Sequence, residues 1–419
     1  MSDNNILQIS TQVIYPITDG GKQAIIAHTR LLKDWNISVY GIMSNADSDC
    51  GDWRQYVPEF KDVLILPRCH SKFAASPLIT IAEWLFSFKP RQAQVIESES
   101  NRELVMRYIE QNNIKIVLLE GIFGVEHISI ERLQEMGIRL INIAHNVEYI
   151  LRSEVLKKYR FLKQPEVELT YNYEKKYLPL MDRVITVSPF DAEMIKQKFR
   201  LNNVCYLPMP MQVSVHQWSD TEADYIVFPG SLGFYANYYS MQWFYKNVFL
   251  SFVKRCSHVR LLITGKADDK LRDTFAHPNV EFTGYVQQET LTSLMTHCLF
   301  MISPIIIGSG VKLKLLEGLS MGMPIIASRH CHEGVPYSSN TISPYLVADT
   351  ADDYLHFMVE LTESSIRRKR LAMNAREFFI TEYSSEKNRL NWYRELLGGA
   401  SEAPLNDQAS HKAVSYPNI

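Results

Sequence analysis

Two successive series of short apolar runs, each run followed by a longer helical pattern, constrain this chain more than any other feature. The first series occupies residues 6–10, 37–42, 63–66, 116–119, 140–144 and 184–187. Several runs are continuous rather than alternating, which suits parallel strands covered by helices on both faces. Helical patterns over 23–35, 102–112 and 151–180 supply the crossovers. The rhythm pauses at Pro208, Pro210 and the polar stretch 214–224, then resumes at 225–228, 261–264, 280–282, 299–303, 324–328 and 345–348. A chain of 419 residues is too long for one ordinary core. The expectation is an α/β protein with two Rossmann-like, doubly wound parallel-sheet domains facing across a cleft. Ligands then sit at the carboxyl ends of the strands. The expected division is an N-terminal domain over 1–210, a linker over 211–224 and a C-terminal domain over 225–397. Two final helices, 366–382 and 385–397, carry Phe378, Phe379, Trp392 and Tyr393 and pack back across the domains. The Ala-, Ser- and Asn-rich stretch 398–419 reads as a disordered tail.

The charge balance narrows the function. A net charge of −2 supplies no basic field for nucleic acid. The six cysteines, Cys50, Cys69, Cys205, Cys256, Cys298 and Cys331, include no CxxC pair and read as scattered thiols of a reducing compartment. His330, Cys331, His332 and Glu333 are consecutive, and neighbouring side chains do not converge on one ion, so no metal is assigned to them. The start MSDNNILQIST lacks the pattern of a signal peptide, and no apolar run reaches membrane-span length. The chain therefore reads as cytoplasmic. Residues 78–91 carry Ile79, Ile81, Trp84, Leu85, Phe86 and Phe88 followed by Lys89 and Arg91. They read either as a peripheral contact with the inner face of a membrane or as a core helix with a basic end.

The most informative segment is 304–327, PIIIGSGVKLKLLEGLSMGMPIIA. A strand, a Gly-Ser-Gly turn, a helix and a second strand follow one another. Gly308 and Gly310 lack a Cβ, so a phosphate can approach the backbone, and a helix N-terminus favours an anion. On a helical wheel Val311, Leu315, Leu316 and Leu319 form an apolar arc, Lys312 falls within it, and Lys314 and Glu317 lie opposite. An ammonium beside a phosphate and a carboxylate that accepts two hydroxyls suit a nucleoside diphosphate. A plain surface ion pair between Lys314 and Glu317 is the competing reading.

This segment resembles the donor-binding motif of the GT-B glycosyltransferases, in particular the "group 1" or family-4 retaining enzymes, in the variant GSGxxxKxLEAxAxGxPVV. Five further segments resemble the family in order: YPITDGGKQAI at 15–25, INIAHNVEYILR at 141–152, DRVITVSPFDAEMI at 182–195, FPGSLGFYANYYSMQWF at 228–244 and VEFTGYV at 280–286. The resemblance spans residues 5–395 and implies transfer of a sugar from a nucleotide-sugar to an acceptor hydroxyl, with retention of configuration.

Site residues follow from the resemblance one by one. Glu317 is implied to grip the donor ribose, and Val286 closes the loop that receives the base. Gly20 and Gly21, with Lys22 beside them, let the backbone reach donor phosphates and acceptor, unless they only form a tight turn. His145 is implied to touch the donor sugar or orient the acceptor, unless Asn146 or Glu148 satisfies it locally. Glu148 reads as a base or as a helix-start acid. Ser309 stands where the family carries a sugar-contacting Glu, so that task falls to Ser309 with Gly308 and Gly310. The family's Gly-Arg…Lys pair is replaced by Gly230-Ser231 and Ala236-Asn237, which leaves Lys314, Lys312 and Lys266, in that order, as cations for the diphosphate. His145 and Lys314 are the expected catalytic pair. No metal and no cofactor is expected, the nucleotide-sugar being a substrate. The acceptor is expected to be a carbohydrate or a lipid-linked molecule of bacterial-type polysaccharide or glycoconjugate biosynthesis. The alternatives are an epimerase or phosphorylase on the same fold, or a non-catalytic glycosyltransferase-like subunit.

Overall fold

The computed structural model of the chain describes residues 5–17, 20–45, 58–68, 88–156, 160–308, 310–337 and 342–398. Two compact units emerge. One holds the described residues up to Pro210 together with 389–398, and the other those of 211–388. Residues 78–87 of the expected amphipathic segment, the stretch from 399 onward, Ser309, Cys50 and Cys69 lie outside the described residues. Among the described residues no helix is long and apolar enough to cross a membrane. Cys205, Cys256, Cys298 and Cys331 are free thiols.

The first unit is built on seven strands: β1 (Asn5–Ser10), β2 (Val39–Asn45), β3 (Asp62–Pro67), β4 (Ile114–Glu120), β5 (Arg139–Ala144), β6 (Arg183–Thr186) and β7 (Val204–Tyr206). Their order is β3-β2-β1-β4-β5-β6-β7, every pairing parallel. The continuous apolar runs explain this. Ile6, Leu7, Ile9, Val117, Leu118 and Leu119 are all fully buried, which requires helices on both faces. Helix starts are fixed by side-chain caps. Ser98 accepts from the Asn101 amide, Ser129 from Arg132, and Ser188 from Asp191 with Pro189 next in line. The strand order reverses between β1 and β4, and their carboxyl ends form the switch point where such sheets hold ligands.

Two expectations change here. The single helical pattern over 151–180 resolves into Glu148–Val155 and Arg160–Tyr177 followed by a 3-10 turn at Leu178–Leu180. β7 is an additional edge strand, too short at three residues to carry a period of its own.

In the second unit β8 (Tyr225–Phe228), β9 (Arg260–Thr264), β10 (Val280–Gly284), β11 (Met301–Ser303), β12 (Ile325–Ser328) and β13 (Leu346–Ala348) pair in the order β10-β9-β8-β11-β12-β13, again all parallel. Phe244, Phe249, Phe252, Phe275, Phe300 and Tyr354 fill its core. The polar stretch 214–224, expected as a linker, is fastened to this unit. The Trp218 indole donates to the Cys298 carbonyl at 2.7 Å, and Asp220 pairs with Arg368 at 2.7 Å, their side chains 7% and 9% exposed. A buried charge is held there because its partner is buried with it.

The two last helices part company. Ser365–Glu382 packs on the helix Leu313–Ser320 of the second unit. From Arg389 on, the helix Glu386–Leu397 belongs to the first unit. Trp392 is fully buried there and donates to the Pro208 carbonyl at 2.8 Å. Glu395 forms a two-pronged pair with Arg183 at 2.6 and 2.9 Å, and Arg139 reaches the carbonyls of Leu396 and Glu395 at 3.0 Å each.

Candidate active site

Most of the sequence-selected donor residues come together at the carboxyl edge of the second sheet. Gly230 and Ser231 follow β8, Gly265 and Lys266 follow β9, Val286 follows β10, and Gly308 and Gly310 follow β11. The loops are cross-linked. Ser231 Oγ donates to the Lys266 carbonyl at 3.0 Å, and the Gly265 amide donates to the Gly284 carbonyl at 2.8 Å. The Lys266 side chain is exposed and Val286 is half-buried. At Gly265 the backbone has φ +88°, and a Cβ would stand 2.8 Å from the Ser231 Cα. Gly265→Ala is therefore expected to destabilise the chain by about 1–3 kcal/mol and to displace Ser231. Urea denaturation checks this, and an unchanged midpoint would contradict it.

The Gly-Ser-Gly turn keeps its two glycines in left-handed conformations, φ +103° at Gly308 and +73° at Gly310. It leads into the helix Leu313–Ser320, whose Leu315, Leu316 and Leu319 are fully buried. The helix begins later than the wheel assumes. Lys312 is its N-cap, with an extended backbone at ψ 93°, so a helical wheel does not place its side chain. Its ammonium lies on the turn, 2.9 Å from the Gly308 carbonyl and 3.2 Å from that of Gly310. Lys314 instead pairs with Glu317 at 2.6 Å, and Gln288 donates to the other Glu317 oxygen at 3.3 Å. The Glu317 side chain is 15% exposed, so this is a shielded carboxylate held in place rather than a loose surface pair. The turn is also braced from the helix Arg329–Gly334. His330 Nε2 is hydrogen-bonded to the Gly308 carbonyl, and Gly334 approaches so closely that a Cβ would stand 2.8 Å from the Gly310 oxygen.

In the first unit Gly20 and Gly21 open the helix Gly20–Asp34, and the Lys22 ammonium binds the Pro16 carbonyl at 3.0 Å. His145 follows β5 and is tied to a buried carboxylate, its Nε2 lying 2.7 Å from Glu120 Oε2. Glu120 ends β4 and is also bonded to Gln8 Nε2 at 2.6 Å and His28 Nδ1 at 3.1 Å. Burial raises the Glu120 pKa, but the two histidines outweigh it and hold the carboxyl down at about 2. Glu148 opens its helix, and the amides of Glu148 and Tyr149 donate to Glu174 at 2.9 and 3.0 Å. Burial, reinforced by Glu148, pushes Glu174 up to about 8.

The consecutive residues at 330–333 diverge. His330 faces Gly308 and Glu333, the Cys331 thiol faces the Ser303 carbonyl at 3.4 Å, and His332 Nδ1 faces the Tyr345 hydroxyl at 3.0 Å. Of the segment 78–91, the described part holds Lys89, whose ammonium sits 2.7 Å from Glu97 and 3.0 Å from Glu126. Sequence reasoning passed over Glu120, His28 and Gln288, and weighed His330 only as a metal ligand. An acid closing the apolar run of β4 and a histidine inside the apolar arc of the first helix were the available signals.

Three comparisons bear on this arrangement. The family model described as Glycosyl transferases group 1 matches residues 223–364. No curated protein sequence matches the chain. Among solved structures, the chain is similar to sucrose-phosphate synthase from Thermosynechococcus elongatus, with a TM-score of 0.69 and 14% identity over 94% of this chain and 99% of that one. HepE of Anabaena in complex with UDP and glucose gives a TM-score of 0.65 and 10% identity over 94% and 99%. WaaG, a glycosyltransferase involved in lipopolysaccharide biosynthesis, gives 0.62 and 11% over 94% and 100%. At such identities these likenesses speak for the shared fold.

Proposed function

We propose that this chain is a group 1 glycosyltransferase, as the family model over residues 223–364 and the fold it shares with sucrose-phosphate synthase support, and that it moves a sugar from a nucleotide-sugar to an acceptor hydroxyl with retention of configuration. The supporting observation is the meeting, at one sheet edge, of a glycine turn carrying the Lys312 ammonium and a helix carrying the shielded carboxylate of Glu317. In this reading Glu317 accepts the ribose hydroxyls. Gly308 and Gly310 let the diphosphate reach the backbone, and Lys312 and Lys314 stand on the two sides of it. As the glycosidic bond breaks, negative charge grows on the diphosphate and the anomeric carbon becomes cationic. Fixed ammonium groups and the helix start meet that charge where it develops. The family resemblance alone assigns His145, in the first unit, a part in the transfer. The HepE structure contains UDP and glucose, which favours the same class of donor here. We assign the acceptor to the carbohydrates, lipid-linked ones included, of bacterial polysaccharide or glycoconjugate synthesis in the cytoplasm.

The test is release of nucleoside diphosphate from a panel of nucleotide-sugars, with the product anomer read by proton NMR. We expect slow release in water, faster release with an acceptor, and a product that keeps the donor configuration. Turnover is expected to stay at its full rate in excess EDTA, since lysine and helix dipole meet the diphosphate charge. A loss in EDTA that only a divalent ion restores would overturn the metal-free reading. Inverted product would overturn retention.

A further inference from the structure

Beneath His145 the first unit buries a carboxylate between two imidazoles, at the switch point between β1 and β4. The side chains of Glu120 and His28 are sealed from solvent at 0% exposure and Gln8 is buried, while the His145 side chain is 18% exposed. His145 alone of the four thus reaches the surface. Each buried member is held by another element. Gln8 lies on β1, and its amide oxygen accepts from the Thr29 hydroxyl at 2.6 Å, which turns its Nε2 toward Glu120 Oε1 at 2.6 Å. His28 comes from the helix Gly20–Asp34, with Nδ1 3.1 and 3.3 Å from the two carboxylate oxygens. Its other face lies against the Trp392 ring, with centroids 4.8 Å apart. The carboxylate therefore meets donors from β1 and from the helix Gly20–Asp34, and His145, just after β5, presents Nε2 as a third at 2.7 Å.

We propose that Glu120, backed by Gln8 and His28, is a positioning residue for glycosyl transfer: it holds the His145 Nε2–H and so fixes the tautomer and orientation of that ring. This rests on the glycosyl-transfer reading above. With the proton on Nε2, the neutral ring carries its lone pair on Nδ1. If the ring gains a second proton in the reaction, Glu120 stabilises the imidazolium without itself being protonated. His28, Glu120 and His145 also bring their ligand atoms within 4.8 Å of one another, as a metal site would. The geometry favours the hydrogen-bonded form. Ligands at zinc distances of about 2.0–2.1 Å in a tetrahedron stand roughly 3.3 Å apart, wider than the 2.7 Å between His145 Nε2 and Glu120 Oε2.

The test combines turnover with imidazole nitrogen NMR of the full chain labelled with nitrogen-15 histidine, His145→Ala serving to assign the signal. In the native chain His145 is expected as the Nε2–H tautomer, and in Glu120→Gln as a mixture of tautomers. Glu120→Gln should lower kcat at least about 10-fold while the affinity for free nucleoside diphosphate stays within about twofold. Glu120→Asp keeps the charge and should recover part of the turnover. It also carries the test if Glu120→Gln does not fold. The proposal is overturned if the His145 signal is unchanged in Glu120→Gln, if turnover is unchanged, or if nucleotide affinity falls as far as kcat. Stoichiometric, tight zinc binding that shifts the His145 signal would make the cluster a metal site and overturn it as well. If the native chain turns over no donor at all, the glycosyl-transfer reading fails, and the tautomer comparison still decides the role of Glu120 toward His145.

Discussion

Glu317→Ala is expected to weaken binding of nucleoside diphosphate and nucleotide-sugar alike by about 1.5–3 kcal/mol, roughly 10- to 150-fold. The carboxylate is poised for this. Its side chain is 15% exposed, Lys314 anchors one oxygen at 2.6 Å, and Gln288 touches the other at 3.3 Å. A diol that replaces water on such a group makes charge-assisted hydrogen bonds in a shielded place, where they are strongest. The loss also leaves the Lys314 ammonium without its partner on the helix. Because the ribose is present in donor and product, the effect belongs in both affinities rather than in kcat alone. Calorimetric titration of the native chain and the variant measures it. Equal affinities would remove Glu317 from the nucleotide site and leave the pair with Lys314 as a surface ornament of the helix.

Trp392→Ala carries the largest expected cost in stability, about 3–5 kcal/mol. The ring is fully buried, its Nε1 donates to the Pro208 carbonyl at 2.8 Å, and one face covers His28. Truncation opens a cavity in the first unit and removes the indole hydrogen bond to the Pro208 carbonyl. The neighbouring ties of Glu395 to Arg183 and of Arg139 to the helix end remain, so the helix is loosened rather than removed. Denaturant unfolding followed by tryptophan fluorescence and by circular dichroism would show the first unit melting earlier. A shift below about 0.5 kcal/mol, the range of an ordinary surface substitution, would mean that the C-terminal helix is not docked there.

What could be read from the sequence, and what could not, divides along physical lines. The strands of both sheets stood out because a parallel strand buried on both faces is a continuous apolar run, as in Val117–Leu118–Leu119. β7 did not, since Val204–Tyr206 has no room for a period. The glycine turn was legible because Gly308 and Gly310 must take positive φ. The placement of the Lys312 ammonium on that turn was not. It depends on the helix starting at Leu313 rather than two residues earlier, and helix ends are where pattern reasoning is weakest. The Gln8–Glu120–His28–His145 network joins residues 112 and 92 positions apart through hydrogen bonds that no local spacing encodes. Only His145 among them was marked beforehand, by resemblance. Likewise Trp392 reads as one more apolar residue of a terminal helix until the fold places it against His28.

The central claim is that the carboxyl edge of the second sheet holds a nucleotide-sugar as a glycosyl donor. Thermal unfolding of the native chain and of Glu317→Ala against a panel of nucleotide-sugars and free nucleoside diphosphates tests it most directly. A ligand at 100 times its dissociation constant adds about 2.7 kcal/mol of stability. The account predicts that at least one nucleotide-sugar, together with its own nucleoside diphosphate, raises the melting temperature of the native chain. The same ligands should lose most of that effect on Glu317→Ala. A panel in which no nucleotide-sugar shifts the native chain, or in which Glu317→Ala responds just as the native chain does, would contradict it.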